Sequence, residues 1–216
     1  MASQPRICGV ILSAGASSRM GQDKALLPWP PVAPGTPVLS DDTLLKASID
    51  ALKPFSEFVI VVAGRNFEIL APHAARNNAL IVPNPAPERG QFSSLQVGLH
   101  VLIANGFDAA MITLVDSPPI SSASLRKLYV VFEQALSRGM WGVQPESNGR
   151  HGHPLLAGRA LIDAFLAAPV TSNARTIKHE HAKLIESVPV PDALLTVDVN
   201  TPEQYAALAE NETPLS

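Results

Sequence analysis

Uninterrupted apolar runs alternate with helical patterns along most of this chain, and this alternation limits the folds that it can adopt. Residues 7–12, 58–63 and 109–115 lack the polar alternation of a half-exposed strand, so they predict strands that are buried on both faces. Residues 93–103 and 121–137 carry apolar side chains at helical spacing. This order predicts an α/β fold of three layers, in which helices cover both faces of a mostly parallel sheet.

The last third of the chain has shorter apolar segments. Residues 141–144 and 153–156 predict short strands on either side of a loop at 146–152, and residues 184–190 and 194–199 predict two further strands. We expect these late strands to add antiparallel to one edge of the sheet, because short strands near one another in sequence pair most readily in that way.

Composition excludes several classes of protein. A chain of 216 residues and 22.9 kDa fits one large α/β domain. Its formal net charge of −3 argues against a nucleic-acid partner, which would require many basic side chains. A single cysteine, Cys8, rules out a disulfide framework, and no apolar run reaches the length of a membrane span or of a signal sequence. We therefore expect a cytoplasmic protein without a membrane or nucleic-acid partner.

The loop after the first apolar run has the composition of a phosphate-binding loop. It reads LSAGASSRMGQDKALL over residues 12–27. Gly15 and Gly21 allow unusual backbone shapes, the small side chains leave backbone N–H groups accessible, and Arg19 and Lys24 add positive charge. The glycine spacing matches neither the P-loop nor the dinucleotide fingerprint. The loop therefore predicts a polyphosphate site of another kind, with an ordinary strand-to-helix turn as the alternative.

Asp116 follows the third buried run and should reach the same edge of the sheet as this loop. Ligands of open α/β sheets bind beyond the carboxyl ends of the strands. A carboxylate that faces a cationic phosphate loop predicts a Mg²⁺ site, because Mg²⁺ takes one or two carboxylates together with phosphate oxygens and water. The alternative is that Asp116 caps a helix or stabilises a turn before Pro118.

Asp198 and Asn200 form a second candidate pair of metal ligands. Their spacing places both side chains on one face of an extended segment. The alternative is that Asn200 or Thr201 caps the helix predicted to begin at Pro202.

The histidines allow two interpretations. His151, His153, His179 and His181 could supply a zinc site, although no H-E-x-x-H motif is present. We favour the other interpretation, in which Gly152, His153 and Pro154 shape the wall of a second substrate site. A serine hydrolase has no support, because the chain lacks a G-x-S-x-G motif.

Five ordered segments together resemble one enzyme family. They read LSAGASSRMGQDKALLPW, VPNPAPERGQFSSLQVGL, LVDSPPI, SNGRHGHPLLA and LLTVDVNTPEQY. These segments are similar to motifs of the MobA-like NTP transferases, especially the molybdenum cofactor cytidylyltransferases. Two positions differ: Val115 replaces the glycine that usually precedes the family's aspartate, and Asn200 stands where the family often has an aspartate.

The resemblance implies a Rossmann-like, GT-A-like nucleotidyltransferase fold in a single domain, residues 1–216. Residues of about 6–140 would bind the nucleotide and residues of about 141–210 the acceptor. The implied reaction transfers CMP from CTP, or a nucleotide from another NTP, to the phosphate of molybdopterin and releases pyrophosphate. The alternatives are transfer to a sugar or polyol phosphate, and a non-catalytic protein that matures the molybdenum cofactor. The resemblance also allows a molybdenum hydroxylase or its maturation factor as a partner.

The resemblance also implies roles for individual residues. The catalytic residues would be Arg19, Lys24 and Asp116. The nucleotide-binding residues would be Leu12, Ser13, Ala14, Gly15, Ser18, Arg19, Lys24, Ser93 and Ser94. Mg²⁺ would bind to Asp116, Asp198 and Asn200, and the acceptor to Gly152, His153 and Pro154.

Overall fold

The predicted alternation of strands and helices is present in a computed structural model of the chain, which describes residues 5–15, 20–32 and 41–211. The strands are β1 (Ile7–Ser13), β2 (Phe58–Ala63), β3 (Leu80–Pro83), β4 (Ala109–Leu114), β5 (Gly142–Ser147), β6 (Arg150–His151), β7 (Leu155–Ala157) and β8 (Ile185–Pro189). The helices are α1 (Leu44–Leu52), α2 (Phe67–Arg76), α3 (Gln91–Ala104), α4 (Ser122–Ser137), α5 (Arg159–Ala167), α6 (Ala174–Glu180) and α7 (Pro202–Asn211). None of these helices is both long enough and apolar enough to cross a membrane.

The strands form one mixed sheet in the order β3-β2-β1-β4-β7-β5-β6, with β8 also paired to β5. The first four strands in this order are parallel. Strand β7 then pairs antiparallel with both β4 and β5, and β6 pairs antiparallel with β5. The predicted fold class, a mostly parallel sheet with antiparallel additions at one edge, is confirmed.

Helices cover both faces of the sheet and complete the three layers. Alternate side chains of β1 enter two apolar clusters: Ile7 and Ile11 belong to the first, and Cys8, Val10 and Leu12 to the second. Helices α1, α2 and α4 pack in the first cluster, whereas α3 and α5 pack in the second. The uninterrupted apolar sequence of β1 is thus explained by burial on both sides.

Three predictions about the last third of the chain were wrong. Strand β8 is parallel to β5, because the chain passes through α5 and α6 before it returns to the sheet. Residues within the expected loop at 146–152 pair instead as the β5–β6 hairpin. Residues 194–199 form no strand: their apolar alternation is accounted for by Leu195 and Val199, which pack into apolar clusters without a partner strand.

The order of the strands places the carboxyl ends of β1 and β4 side by side. The chain adds β2 and β3 on one side of β1 and β4 on the other side. Such a reversal of strand order leaves a crevice beyond the carboxyl ends of the two central strands, where ligands bind in open α/β sheets. The segments that follow β1 and β4 therefore meet at this crevice.

Candidate active site

Lys24 and Asp116 lie together at the crevice. The Lys24 ammonium is 3.0 Å from Asp116 Oδ2 and also donates to Asn200 Oδ1 at 2.8 Å. The Lys24 side chain is 12% exposed and that of Asp116 is 26% exposed, so water screens the ion pair only in part. A cation from the first loop, a carboxylate from the end of β4 and an amide oxygen from the C-terminal segment thus converge, and we call these three residues the cation corner.

The backbone around Asp116 fixes the position of its carboxylate. Val115 N–H donates to Leu12 O at 3.0 Å, and Val199 N–H donates to Asp116 O at 2.7 Å. The Ser117 hydroxyl also donates to Asp198 Oδ1 at 2.8 Å, so Asp198 lies beside the corner. Asp116 does not cap the next helix, because Ser121 caps α4.

Other residues cap α7, which leaves the Asn200 side chain to accept from Lys24. The Gln204 side-chain oxygen accepts from the Asn200 N–H at 2.7 Å and from the Thr201 N–H at 3.2 Å, while Gln204 N–H donates to the Thr201 hydroxyl at 3.4 Å. This reciprocal arrangement is a capping box. The capping alternative for Thr201 is therefore confirmed, whereas the Asn200 amide oxygen faces Lys24.

Asn66, which the sequence analysis did not single out, joins the two ends of the first loop. Its side-chain nitrogen donates to Ser13 O at 2.9 Å and to Asp23 Oδ2 at 2.6 Å, and its oxygen accepts from Gly64 N–H at 2.9 Å. Asp23 Oδ1 accepts from Ala25 N–H at 2.9 Å and so caps the short 3₁₀ helix that begins at Lys24. Asn66 thereby helps to hold Lys24 near the crevice.

A cavity of about 700 Å³ opens beside the cation corner. Leu12, Ala14 and Gly15 line it, as expected for a nucleotide site, while Ser13 is buried beneath them. Ser18 and Arg19 lie outside the described residues, so their predicted roles stay predictions. The cavity is also lined by residues that the sequence did not point to, namely Asp23, Arg65, Asn66, Ile69, Pro87, Glu88, Gly90 and Gln91.

Ser93 and Ser94 are buried at the start of α3, where both hydroxyls accept from the Asn84 side-chain nitrogen at 2.9 Å. Ser94 lines the cavity, whereas the Ser93 hydroxyl donates to Gly90 O at 2.7 Å. Asn84 and the two serines therefore fix the turn at Gly90 that borders the cavity.

A second cavity of about 410 Å³ adjoins the first and shares Leu12, Gly90 and Gln91 with it. Of the three residues predicted to bind the acceptor, His153 lines this cavity. Burial lowers the pKa of His153 below its ordinary value, and its Nδ1 lies 3.4 Å from Ile112 O. Gly152 packs tightly against Leu195, where a Cβ would lie 2.2 Å from the Leu195 carbonyl oxygen, and Pro154 lines a smaller recess.

The histidines do not assemble a zinc site. Within the described parts of the chain, no group of three or more His, Cys, Asp or Glu side chains could hold a metal ion. His151 Nε2 lies 3.3 Å from Gln144 Nε2 and 3.2 Å from the Ser187 hydroxyl. The His181 ring contacts Trp141 in a tilted arrangement, with ring centroids 4.6 Å apart. The zinc interpretation is therefore wrong for the residues that the structure describes.

Comparison with known proteins identifies the family of this chain. Residues 9–184 match the MobA-like NTP transferase domain. The chain belongs to this family. It is 26% identical to the molybdenum cofactor cytidylyltransferase of Escherichia coli K12, over 95% of this chain and 97% of that protein. It is 30% identical to a probable molybdenum cofactor guanylyltransferase of Rhodopirellula baltica, over 93% of this chain and 90% of that protein.

The fold of this MobA-like NTP transferase is also found in solved structures. The crystal structure of Rv0371c from Mycobacterium tuberculosis H37Rv superposes with a TM-score of 0.73 and 22% identity, and the match covers 95% of this chain and 98% of that one. The family assignment supports enzymatic nucleotidyl transfer. The cation corner and the first cavity lie at the crevice where ligands bind in open α/β sheets.

Proposed function

We propose that this enzyme transfers CMP from CTP to the phosphate of molybdopterin or of the molybdenum cofactor and releases pyrophosphate. The observation that carries the proposal is the cation corner, in which Lys24, Asp116 and Asn200 meet beside a cavity large enough for a nucleotide. Relatives that cover nearly the whole chain are named as cytidylyl- and guanylyltransferases of this cofactor.

The reaction exchanges one phosphoanhydride bond for another. An oxygen of the acceptor phosphate forms a bond to the α-phosphorus of CTP, and the bond from that phosphorus to the bridging oxygen of pyrophosphate breaks. The acceptor phosphate is already ionised at neutral pH, so no general base is required. The protein contributes position and charge. The Lys24 ammonium would stabilise negative charge at the α-phosphate, and Arg19 of the same loop would hold the leaving pyrophosphate.

The donors at the cation corner fit Mg²⁺. Asp116 Oδ2 and Asn200 Oδ1 already surround a cation, the Lys24 ammonium, and Asp198 is held beside them by Ser117. These are hard oxygen ligands, and Mg²⁺ needs only one or two carboxylates when phosphate oxygens and water complete its shell. When bound, the ion would neutralise phosphate charge. The residues that would hold it are Asp116, with Asp198 or Asn200.

The choice of CTP rests on the loop that lines the first cavity. The resemblance to this family implies that relatives which use GTP tend to have glycine at the position of Ala14, and Ala14 lines the first cavity. Additional bulk in the base site would disfavour the larger purine, and one methyl group of this kind changes selectivity by about 1–3 kcal/mol. We therefore expect a preference for CTP of roughly tenfold or more over GTP.

A panel of NTPs and phosphate acceptors, scored for pyrophosphate release, tests the proposal. We expect release with CTP and a molybdopterin acceptor. Release with only a sugar or polyol phosphate would contradict the acceptor, and the absence of release with every acceptor would indicate a non-catalytic maturation protein.

The Asp116→Asn variant tests the role of the corner itself. It should lower turnover by at least about 10²-fold at saturating nucleotide and Mg²⁺, the typical loss when a charge-stabilising group is removed. Asp108→Asn is the matched control, because Asp108 is exposed and precedes β4 at its opposite end. Wild-type turnover in Asp116→Asn would refute the metal assignment.

A further inference from the structure

The described residues that line the second cavity carry an excess of positive charge. Arg89, Arg175 and Lys178 line this cavity, and its lining contains no Asp or Glu among the described residues. Across the described ranges, none of these three side chains forms an ion pair with a carboxylate. Like charges near one another repel, so their placement in one cavity favours an anionic ligand.

Lys178 is held in this position by a neutral partner. Its ammonium donates to the Gln144 side-chain oxygen at 3.1 Å. Gln144 is buried, and its nitrogen lies 3.3 Å from both the Ser187 hydroxyl and His151 Nε2. Burial, together with the nearby charge of Arg175, lowers the pKa of Lys178. Gln144 therefore positions the ammonium and leaves its charge available to a ligand, whereas a glutamate at the same place would neutralise it.

The cavity also has an apolar surface, called here the apolar wall, which is formed by Leu12, Phe92, Leu95, Ile112, Leu114 and Leu155. Gln91, His153, Ser172 and Asn173 add polar groups to the lining. An apolar wall in the same cavity as a group of cations suits a ligand with a ring system and a separate anionic group. Because the cavity shares Leu12, Gly90 and Gln91 with the nucleotide cavity, one acceptor could extend from the cation corner into it.

We propose that the second cavity binds the end of the acceptor remote from its reacting phosphate, and that Arg175 and Lys178 bind a second anionic group there. The identification of the ligand as the acceptor rests on the proposed function. The acceptor would be a phosphorylated ring compound that carries negative charge at two places. Its phosphate would lie at the cation corner, its ring against the apolar wall, and its second anionic group beside α6.

A kinetic experiment tests this assignment. In the double variant Arg175→Gln/Lys178→Met, the KM for the molybdopterin acceptor should rise by about 10–100-fold, because charge-assisted hydrogen bonds to the acceptor are lost. The KM for CTP should change less than about twofold. Lys183→Met removes an exposed positive charge outside the cavity and serves as the control. An unchanged acceptor KM in the double variant would overturn the proposal.

A binding experiment tests the anion site without any turnover. Inorganic sulfate, titrated at constant ionic strength, should shift the backbone amide resonances of α6 in the wild-type protein and in Lys24→Met. The same shifts should be absent in Arg175→Gln/Lys178→Met and reduced in Gln144→Glu, where an added carboxylate would pair with Lys178. Shifts of α6 that persist in the double variant would refute the site.

The two experiments separate the two proposals. If sulfate binding depends on Arg175 and Lys178 but no acceptor supports pyrophosphate release, the anion site stands and the proposed function fails. If transfer to molybdopterin occurs with the same acceptor KM in all variants, the proposed function stands and the anion site fails.

Discussion

Replacement of Lys24 by methionine should change metal binding and turnover in opposite directions. The Lys24 ammonium contacts the same Asp116 and Asn200 oxygens that are proposed to bind Mg²⁺. A divalent ion that binds these two oxygens would therefore have to displace Lys24 from them. The Lys24→Met variant removes this competitor, but it also removes the charge that is proposed to stabilise the reacting phosphate.

The expected gain in metal affinity follows from the loss of the contact between Lys24 and Asp116. A hydrogen bond between charged groups contributes about 1.5–3 kcal/mol. Since the Asp116 side chain is 26% exposed, solvent weakens this interaction and the lower end of the range applies. A difference of about 1.4 kcal/mol is tenfold in affinity, so divalent ions should bind the variant about tenfold more tightly. Turnover should nevertheless fall by on the order of 10²–10³.

The two effects are measured separately. Titration of the nucleotide-free protein with Mn²⁺, followed by the electron paramagnetic resonance signal of the free ion, gives the metal affinity. Pyrophosphate release at saturating CTP gives the turnover. Lys53→Met is the control, because Lys53 forms an ion pair of 3.0 Å with Asp50 at an exposed site away from the corner. Unchanged or weaker Mn²⁺ binding in Lys24→Met would show that the lysine and the metal do not share oxygens.

Three further predictions concern stability and reactivity. Gly152→Ala should lower the free energy of unfolding by about 3 kcal/mol in denaturant titrations, because its Cβ would lie 2.2 Å from the Leu195 carbonyl oxygen. Gly15→Ala should have little effect, because its Cβ would meet no atom of the described residues within 4 Å. Burial alone would raise the pKa of Asp192, but hydrogen bonds from Ser121, Ser124 and Leu194 outweigh this effect and lower the pKa below 3.8. The charged form of Asp192 therefore stabilises the fold above pH 3.8. The difference in unfolding free energy between wild type and Asp192→Asn should therefore shrink as the pH falls below that value, and a constant difference would contradict this reasoning. Burial raises the pKa of the Cys8 thiol to about 12. A disulfide reagent such as 5,5′-dithiobis(2-nitrobenzoate) should therefore modify Cys8 only at the rate of unfolding. Rapid reaction of the native protein would contradict the burial of Cys8.

Much of the fold was predictable because strands that are buried on both faces have uninterrupted apolar sequences. The run that became β1 lacks polar side chains since helices cover both of its faces. The meeting of Lys24 and Asp116 followed from one rule, that parallel strands present their carboxyl ends at the same edge of a sheet. The segment 194–199 escaped prediction because the same apolar spacing that forms a strand also allows Leu195 and Val199 to pack without strand pairing.

The parts of the site that sequence did not predict depend on long-range packing. Asn66 follows β2, and nothing in its local sequence shows that it reaches Ser13 and Asp23. Arg89 precedes α3 and Lys178 belongs to α6, and only the folded chain brings both to the lining of one cavity. A basic residue on a short helix is usually a solvated surface charge. Lys178 differs from this pattern in the folded protein, because its partner is the amide oxygen of Gln144 and no carboxylate among the described residues pairs with it.

The hydrogen bond between Lys24 and Asn200 joins positions that are 176 residues apart in the chain. Contacts between residues so far apart in sequence form late in folding, because a large loop must lose conformational freedom before the contact can form. During synthesis, the parallel strands β1 to β4 can therefore pair before the corner exists. The proposed active site would be complete only when the C-terminal segment with Val199 and Asn200 packs against Asp116 and Lys24. An incompletely synthesised chain would therefore not hydrolyse or transfer nucleotide.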